Sequence, residues 1–200
     1  MTEAFNLISS YRKHLETKLD PMRYEHSLSV SYTCMNLAMC YGYDLAKAEI
    51  AGLLHDCGKR YSDSIILKKC KKHEIPITAD EEEAPAVLHA NYGAWLAQHK
   101  YGISDPEILS AILYHTTGKP NMSILEKIVY IADYIEPRRY KAADLPQIRT
   151  LAYQNLDETM YQILKGSLIY LKKKGTAINP MSQKAYDYYQ ELNMHKRNEE

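Results

Sequence analysis

Phenylalanine and tryptophan are nearly missing from this 200-residue chain, which has one of each beside 18 tyrosines. An excess of charge is missing too, because 25 basic residues balance 25 acidic ones, so no overall field recruits nucleic acid or an anionic membrane. No stretch approaches the roughly 18 apolar residues of a membrane span, and the N-terminus lacks the basic and apolar parts of a signal peptide. We therefore expect a cytoplasmic protein with neither nucleic acid nor a membrane as a partner.

Cysteine is scarce as well and is not paired in CxxC spacing. The four cysteines are Cys34, Cys40, Cys57 and Cys70, and they lie in apolar or predicted helical segments. A disulfide framework or a zinc site of the CxxC type is therefore not indicated. We expect reduced thiols that serve as small core residues.

Alternation with a period of two, internal repeats and low-complexity linkers are also absent from the sequence. Apolar residues recur instead at helical spacing, which predicts an all-α protein. Two hundred residues suit one domain, so we expect a single domain over residues 1–200, with a core of about 6–190 and a frayed charged tail at 195–200.

The helices are predicted from apolar spacing together with capping residues and prolines. Asp44 is the expected N-cap of a helix that Gly58 ends, and Gly175 is expected to close the longest helix. On the second helix Leu28, Tyr32, Met35 and Met39 form one apolar stripe. The predicted helical segments are 2–19, 22–40, 45–56, 61–75, 85–99, 104–115, 122–135, 146–174 and 182–194.

The histidine and aspartate of Leu54-His55-Asp56-Cys57-Gly58-Lys59 are adjacent at an apolar helix end. Neighbouring residues of a helix point about 100° apart, so the two side chains cannot face each other but can converge on one point beside the axis, such as a metal ion. The alternative is that Asp56 caps the next segment and His55 is a hydrogen-bonded core residue. The doublet alone does not decide between these readings.

Further candidate ligands lie on other predicted helices. His26 is in a polar cluster at a point where the apolar stripe of its helix should continue. Asp133 is an ionisable residue in an apolar segment, where burial of its charge is unfavourable without a cation. Together with the doublet they form a nitrogen and oxygen set that suits a divalent transition metal. If Asp56 bridges, His89 and His115 supply a second metal, although a lone histidine is more often a core residue.

Four segments resemble a known family. The order of His26, His55-Asp56 and Asp133 resembles the HD-domain superfamily of metal-dependent phosphohydrolases, and His89 with His115 resembles its two-metal branch. The local sequence around these residues more closely resembles the bacterial YqeK family of symmetrical diadenosine tetraphosphate (Ap4A) hydrolases. The segments that carry this likeness are Arg23-Tyr24-Glu25-His26-Ser27, Leu54-His55-Asp56-Cys57-Gly58-Lys59, His115-Thr116-Thr117-Gly118 and Ala132-Asp133-Tyr134-Ile135-Glu136-Pro137-Arg138.

The resemblance implies an HD-domain helical bundle that cleaves Ap4A into two ADP by means of a water activated by two metals. It implies that His26, His55, Asp56 and Asp133 bind one metal and that Asp56, His89 and His115 bind the other. The metals of this family are commonly described as iron, and manganese or cobalt would also fit. The implied partners are a dinucleoside polyphosphate and products of the ADP or GDP type, and a homodimer is compatible with the sequence.

Several polar residues near these motifs are candidates for contacting phosphate. Lys59 follows the doublet by one turn, Arg138 and Arg139 follow the helix of Asp133, and Arg23 precedes His26 by one turn. Guanidinium groups suit bidentate phosphate contacts, and pairing with a carboxylate is the alternative for Arg23. Thr116 and Thr117 either donate hydroxyls to phosphate or close a turn.

Three other functions remain open from the sequence. The chain could act on a different nucleotide with the same fold, it could be a two-iron oxygenase, or it could be a nucleotide sensor without turnover. The arginines beside Asp133 favour phosphate chemistry over oxygen activation, and the complete set of six ligand positions favours catalysis over sensing.

Overall fold

The computed structural model describes the backbone of residues 2–199 and the side chains of residues 6–195. Within residues 2–199 the chain forms eleven α-helices, a short 3₁₀ helix at Pro85–Val87 and no strand, as the all-α prediction required. The helices are α1 Thr2–Glu16, α2 Pro21–Tyr41, α3 Leu45–Leu54, α4 Asp63–Lys72, α5 Ala79–Glu83, α6 Leu88–Tyr101, α7 Pro106–Tyr114, α8 Ile124–Ile135, α9 Leu145–Ala152, α10 Leu156–Lys174 and α11 Pro180–Glu199. None of these helices is long and apolar enough to cross a bilayer.

Helix α8 lies at the centre of the bundle. It packs against α2, α3, α7, α9 and α10, and its residues Ile128, Val129, Ile131 and Ala132 have no exposed surface. Ser123 caps the helix in a capping box with Glu126, which satisfies backbone N–H groups at its first turn. Asp133 is therefore delivered into the interior from the last turn of the most buried helix.

Helix α2 packs on α3 through small side chains rather than through its apolar stripe. Tyr32 and Met39 of that stripe are 49% and 60% exposed, whereas Cys34 has no exposed surface. The two helices approach so closely that a Cβ on Gly52 would lie 2.7 Å from the Cys34 Sγ and 2.9 Å from the Ser31 Cα. Large side chains do not fit at this contact, and Tyr32 and Met39 lie on the outer face of α2.

Several predicted helix boundaries differ from those of the structure, and two of the differences bear on the core and the site. The segment 146–174 is not one helix, because α9 ends at Ala152 and Asn155 caps a new helix by accepting a hydrogen bond from the Glu158 N–H. Both helices pack on the same core, so the apolar spacing continues across the break and hides it. Helix α3 ends at Leu54 rather than at residue 56, and a series of turns follows over 55–60.

Three of the four cysteines match the prediction of core thiols. Cys34, Cys57 and Cys70 are buried and Cys40 is exposed, and all four are free. Helix α11 continues through Glu199, and the prediction that residues 195–200 fray falls mostly on side chains that lie outside the described residues.

Candidate metal and active site

The six predicted ligands meet at the centre of the bundle although they come from five parts of the chain. His26 lies on α2, His55 and Asp56 follow α3, and His115 directly follows α7. His89 is in the first turn of α6, and Asp133 is in the last turn of α8. Their ligand atoms form three overlapping groups, each within 4.8 Å: His26, His55 and Asp56; His55, His115 and Asp133; and Asp56, His89 and His115.

The Asp56 carboxylate lies between two sets of imidazoles. Its Oδ1 is 3.5 Å from His89 Nε2 and 3.4 Å from His115 Nε2, and its Oδ2 is 3.8 Å from His55 Nε2. The side chain is almost completely buried. One carboxylate with an oxygen toward each set has the arrangement that a bridging ligand needs.

Three of the histidines have the same orientation, fixed by their own backbone. The Nδ1 atoms of His55, His89 and His115 lie 2.7 Å from the carbonyl oxygens of Gly52, Ala86 and Ile112, each three residues earlier. A carbonyl oxygen only accepts, so Nδ1 must donate, and the Nε2 of each neutral ring is left as an acceptor. This is how ligand histidines are usually oriented for a metal.

Burial keeps the rings of His55 and His89 neutral. It lowers the pKa of His55 to about 4, and burial together with Lys59 lowers the pKa of His89 to about 3. Burial alone would raise the pKa of Asp56, but the neighbouring imidazoles and Lys59 outweigh it and hold that pKa well below its usual value. The site therefore presents unprotonated nitrogens beside an ionised carboxylate.

Several acceptor atoms of this site lie close together without enough donors, which bears on whether a cation fits there. His89 Nε2 and His115 Nε2 are 3.2 Å apart, both face Asp56 Oδ1, and the single Thr116 hydroxyl, 3.0 Å from each nitrogen, can donate to only one of them. His55 Nε2 and Asp56 Oδ1 are buried without a hydrogen-bond partner. Unpaired acceptors this close are unfavourable in a buried site unless a cation lies among them. The donor set fits a metal.

His26 differs from the other three histidines because carboxylates face both of its nitrogens. Nε2 is 3.0 Å from Asp133 Oδ1 and Nδ1 is 3.1 Å from Glu136 Oε1. Burial lowers the pKa of His26, but the hydrogen bond and charge of Asp133 outweigh burial, so the pKa is raised. Asp133 also accepts a hydrogen bond from Arg139 Nη2 at 2.6 Å. The hydrogen bond from His26 and the charge of Arg139 outweigh burial, so the pKa of Asp133 is lowered.

Glu136 is a site residue that the sequence reasoning missed. It is only 2% exposed, and besides His26 it accepts hydrogen bonds from Ser29 Oγ and from the Arg138 N–H, both at 2.7 Å. A buried carboxylate with such partners orients the His26 ring. The available signal was its place in Asp133-Tyr134-Ile135-Glu136, an acidic residue that directly follows an apolar helix.

A cavity of about 980 Å³ opens beside the cluster and reaches α10. On one side it is lined by His26, His115 and Asp133, and on the other by Ile163, Gly166 and Tyr170. Four basic side chains also line it: Lys59, Arg138, Arg139 and Lys141. Cationic side chains therefore share the cavity with the candidate metal ligands and with side chains of α10.

The predicted substrate contacts fall into two groups. Lys59, Thr116, Arg138 and Arg139 line the cavity. Arg23 is not among the lining residues and pairs with Asp20 at 3.1 Å, and the buried Thr117 donates to the Gly118 carbonyl at 3.0 Å. The geometry thus brings four of these six residues to the cavity and leaves Arg23 and Thr117 outside it.

The sequence predicted that Gly58 ends a helix, but α3 already ends at Leu54. Gly58 instead allows close backbone packing that positions His89. A Cβ on Gly58 would lie 2.4 Å from the His89 carbonyl oxygen and 2.9 Å from the Gly93 nitrogen. The turn after Asp56 therefore lies directly against α6, which carries His89, and any larger residue would separate the two.

Comparisons with known proteins agree with this geometry. The family model described as HD domain matches residues 23–138. A protein of Bacillus subtilis named symmetrical bis(5'-nucleosyl)-tetraphosphatase is 35% identical over 87% of this chain and 92% of the relative. A Staphylococcus aureus protein of the same name is 36% identical over 91% of this chain and 94% of the relative.

A solved structure shares the fold as well. The crystal structure of a Clostridium acetobutylicum protein, described as an HD superfamily hydrolase involved in NAD metabolism, superposes with a TM-score of 0.88. It is 35% identical and covers 92% of this chain and 97% of its own. The chain therefore belongs to the HD-domain family of hydrolases, in the branch of the symmetrical bis(5'-nucleosyl)-tetraphosphatases.

Proposed function

We propose that this protein hydrolyses Ap4A symmetrically to two ADP with the help of two bound metal ions. The observation that supports this most is the cluster of unprotonated nitrogens around the ionised Asp56, next to a cavity lined by four basic side chains. The names of the relatives support the same substrate. The products would be nucleoside diphosphates.

We assign the ligands as two sets that share Asp56. His26, His55, Asp56 and Asp133 would bind one ion, and Asp56, His89 and His115 would bind the other. Two divalent ions bound there would lower the pKa of a water molecule and neutralise charge on the attacked phosphoryl group. Iron is the proposed metal, and manganese or cobalt would also suit ligands of this kind.

The chain's own residues would bind and orient the polyphosphate. A cavity of about 980 Å³ is at the upper end of the volumes of ligand sites, as a dinucleotide requires. Arg138, Arg139 and Lys141 are placed to neutralise phosphate oxygens, and guanidinium groups can do so in a bidentate way. Attack of water on a phosphorus next to the central bridging oxygen releases ADP, whose low basicity makes it a good leaving group without a strong acid.

The test is product identification with metal-loaded protein. Purified protein stripped of metal and then loaded with iron, manganese or cobalt is incubated with Ap4A, and nucleotides are separated by anion exchange. We expect ADP as the only nucleotide product and no turnover without metal. Formation of AMP with ATP, or intact Ap4A in every metal-loaded sample, would contradict the proposal. A parallel panel of deoxynucleotides and cyclic dinucleotides tests the other HD-type activities.

Lys59 is expected to act on substrate rather than on metal binding. Its Nζ is 3.5 Å from Asp56 Oδ2, and its side chain is 37% exposed on the cavity side. Lys59→Ala should leave the metal content unchanged and lower kcat at least about tenfold, because a positive group near the developing phosphate charge is lost. Lys68→Ala, on the exposed face of α4, is the matched control and should match the wild type. Loss of metal from Lys59→Ala would contradict this role.

A further inference from the structure

We propose that Arg149 is a positioning residue for the active site: it binds the backbone of site residues but does not itself line the cavity. The proposal rests on the proposed function, because the loop it positions is the one that would bind phosphate. Arg149 lies on α9 and is not among the residues that line the cavity. Its partners are the backbone carbonyl of the last residue of α8 and two backbone carbonyls of the segment that joins α8 to α9, called here the α8–α9 loop (residues 136–144).

The α8–α9 loop supplies much of one wall of the cavity and has no regular helix. It carries Arg138, Arg139 and Lys141, three of the four basic residues at the cavity, and Glu136, which orients His26. The Arg139 N–H closes one turn on the Glu136 carbonyl at 3.0 Å. A loop with so little structure of its own needs an external contact to present these side chains in one geometry.

One guanidinium binds three carbonyls at this point. Arg149 Nε donates to the Ile135 carbonyl at 2.8 Å, and its Nη2 donates to the carbonyls of Glu136 and Arg139, both at 2.9 Å. The carbonyl of Ile135 is at the C-terminus of α8, where carbonyls lack helical partners and a cation is favoured. The flat, rigid donor set of arginine matches three such acceptors, whereas the point charge of lysine does not.

The contact affects both halves of the site at once. Fixing the backbone at Glu136 places the carboxylate that faces His26 Nδ1, and fixing it at Arg139 places the guanidinium that binds Asp133. Residues Glu25 and Arg138 form a further ion pair at 2.6 Å between α2 and the same loop, on its exposed side. Arg149 is thus a contact that holds the backbone of the loop from outside the cavity lining.

The experiment compares Arg149→Ala, Arg149→Lys and Arg12→Ala in full-length, metal-saturated protein. Arg12 is the matched control, because it is also partly buried and hydrogen-bonded, to Glu49 and Tyr32, but does not line the cavity. Four quantities are measured: amide hydrogen exchange over residues 136–144, the Kd of ADP by calorimetry, KM and kcat for Ap4A, and the urea midpoint of unfolding.

For Arg149→Ala we expect faster exchange confined to the α8–α9 loop and an increase of about tenfold in KM and in the Kd of ADP, since misplaced contacts weaken substrate positioning. Its urea midpoint should fall no more than that of Arg12→Ala, and Arg149→Lys should recover only part of the KM. Unchanged exchange in the loop, a KM change no larger than that of Arg12→Ala, or full recovery by lysine would overturn the proposal. If the wild type leaves Ap4A intact, the proposed function fails, while exchange and ADP binding still test Arg149.

Discussion

Asp56→Ala is expected to lose both metal ions and more than about a thousandfold of Ap4A turnover, because bound metal supplies several kcal/mol of charge stabilisation in phosphoryl transfer. The Asp56 carboxylate faces both sets of imidazoles, with Oδ1 toward His89 and His115 and Oδ2 toward His55. Metal content by mass spectrometry and initial rates measure the two losses in the same preparation.

The effect of metal on stability separates this role from a structural one. Without metal, Asp56→Ala already loses the contacts of the carboxylate with Lys59 and the imidazoles, so each protein is compared with itself in the presence and absence of metal. Added metal should raise the Tm of the wild type by binding only the folded state, and it should leave the Tm of the variant unchanged. Asp63→Ala, on the surface of α4, serves as the control. A variant that retains two ions per chain would contradict the bridging assignment.

Gly58→Ala is expected to destabilise the protein by about 1–3 kcal/mol or more and to disturb the site at a distance from any ligand. The atoms in the way of its Cβ are the His89 carbonyl oxygen at 2.4 Å and the Gly93 nitrogen at 2.9 Å, and both belong to the backbone. A backbone cannot rotate aside as a side chain can, so α6 must shift and take His89 with it. Urea unfolding measures the destabilisation, and the metal content reports the displacement of His89.

The facing glycine provides the control. A Cβ on Gly93 would meet its nearest neighbours at 3.5 and 3.6 Å, which are ordinary contacts, and Gly93 is inside α6. Replacing an interior helical glycine with alanine normally stabilises by about 0.5–1 kcal/mol. Gly93→Ala should therefore equal or exceed the wild type in stability. The opposite order of the two variants would refute the close approach of the turn to α6.

Much of the fold could be predicted because its helix ends depend on local chemistry. Asp44 accepts from the Lys47 N–H, as its position before an apolar run indicated, and Gly175 closes α10 with a φ of +67°. The break before Asn155 could not be predicted, because α9 and α10 bury apolar residues in the same core. The exposure of Tyr32 and Met39 on α2 could not be predicted either, because it depends on how closely α3 approaches α2.

The candidate ligands could be predicted for a different reason. His26, the His55-Asp56 doublet and Asp133 are polar residues in otherwise apolar text, where burial without a partner is unfavourable. The residues around them could not, because their roles depend on contacts far apart in the chain. Glu136 reaches His26 across 110 positions, and Arg23 pairs locally with Asp20 instead of facing the cavity. No local pattern distinguishes Arg23 from Arg138 in this respect.

The three histidines that donate to a carbonyl three residues earlier differ from His26 in their tolerance of sequence change. Every residue type has a backbone carbonyl, so substitutions at Ala86 or Ile112 keep the acceptor, whereas Gly52 is constrained by its close contact with α2. His26 relies instead on one particular side chain, the Glu136 carboxylate. For the other three imidazoles the orienting acceptor itself does not depend on the identity of a side chain. The His26 ring, in contrast, can lose its orientation through one substitution at Glu136. Among the residues that orient the candidate ligands, we therefore expect evolutionary constraint to be strongest at Glu136.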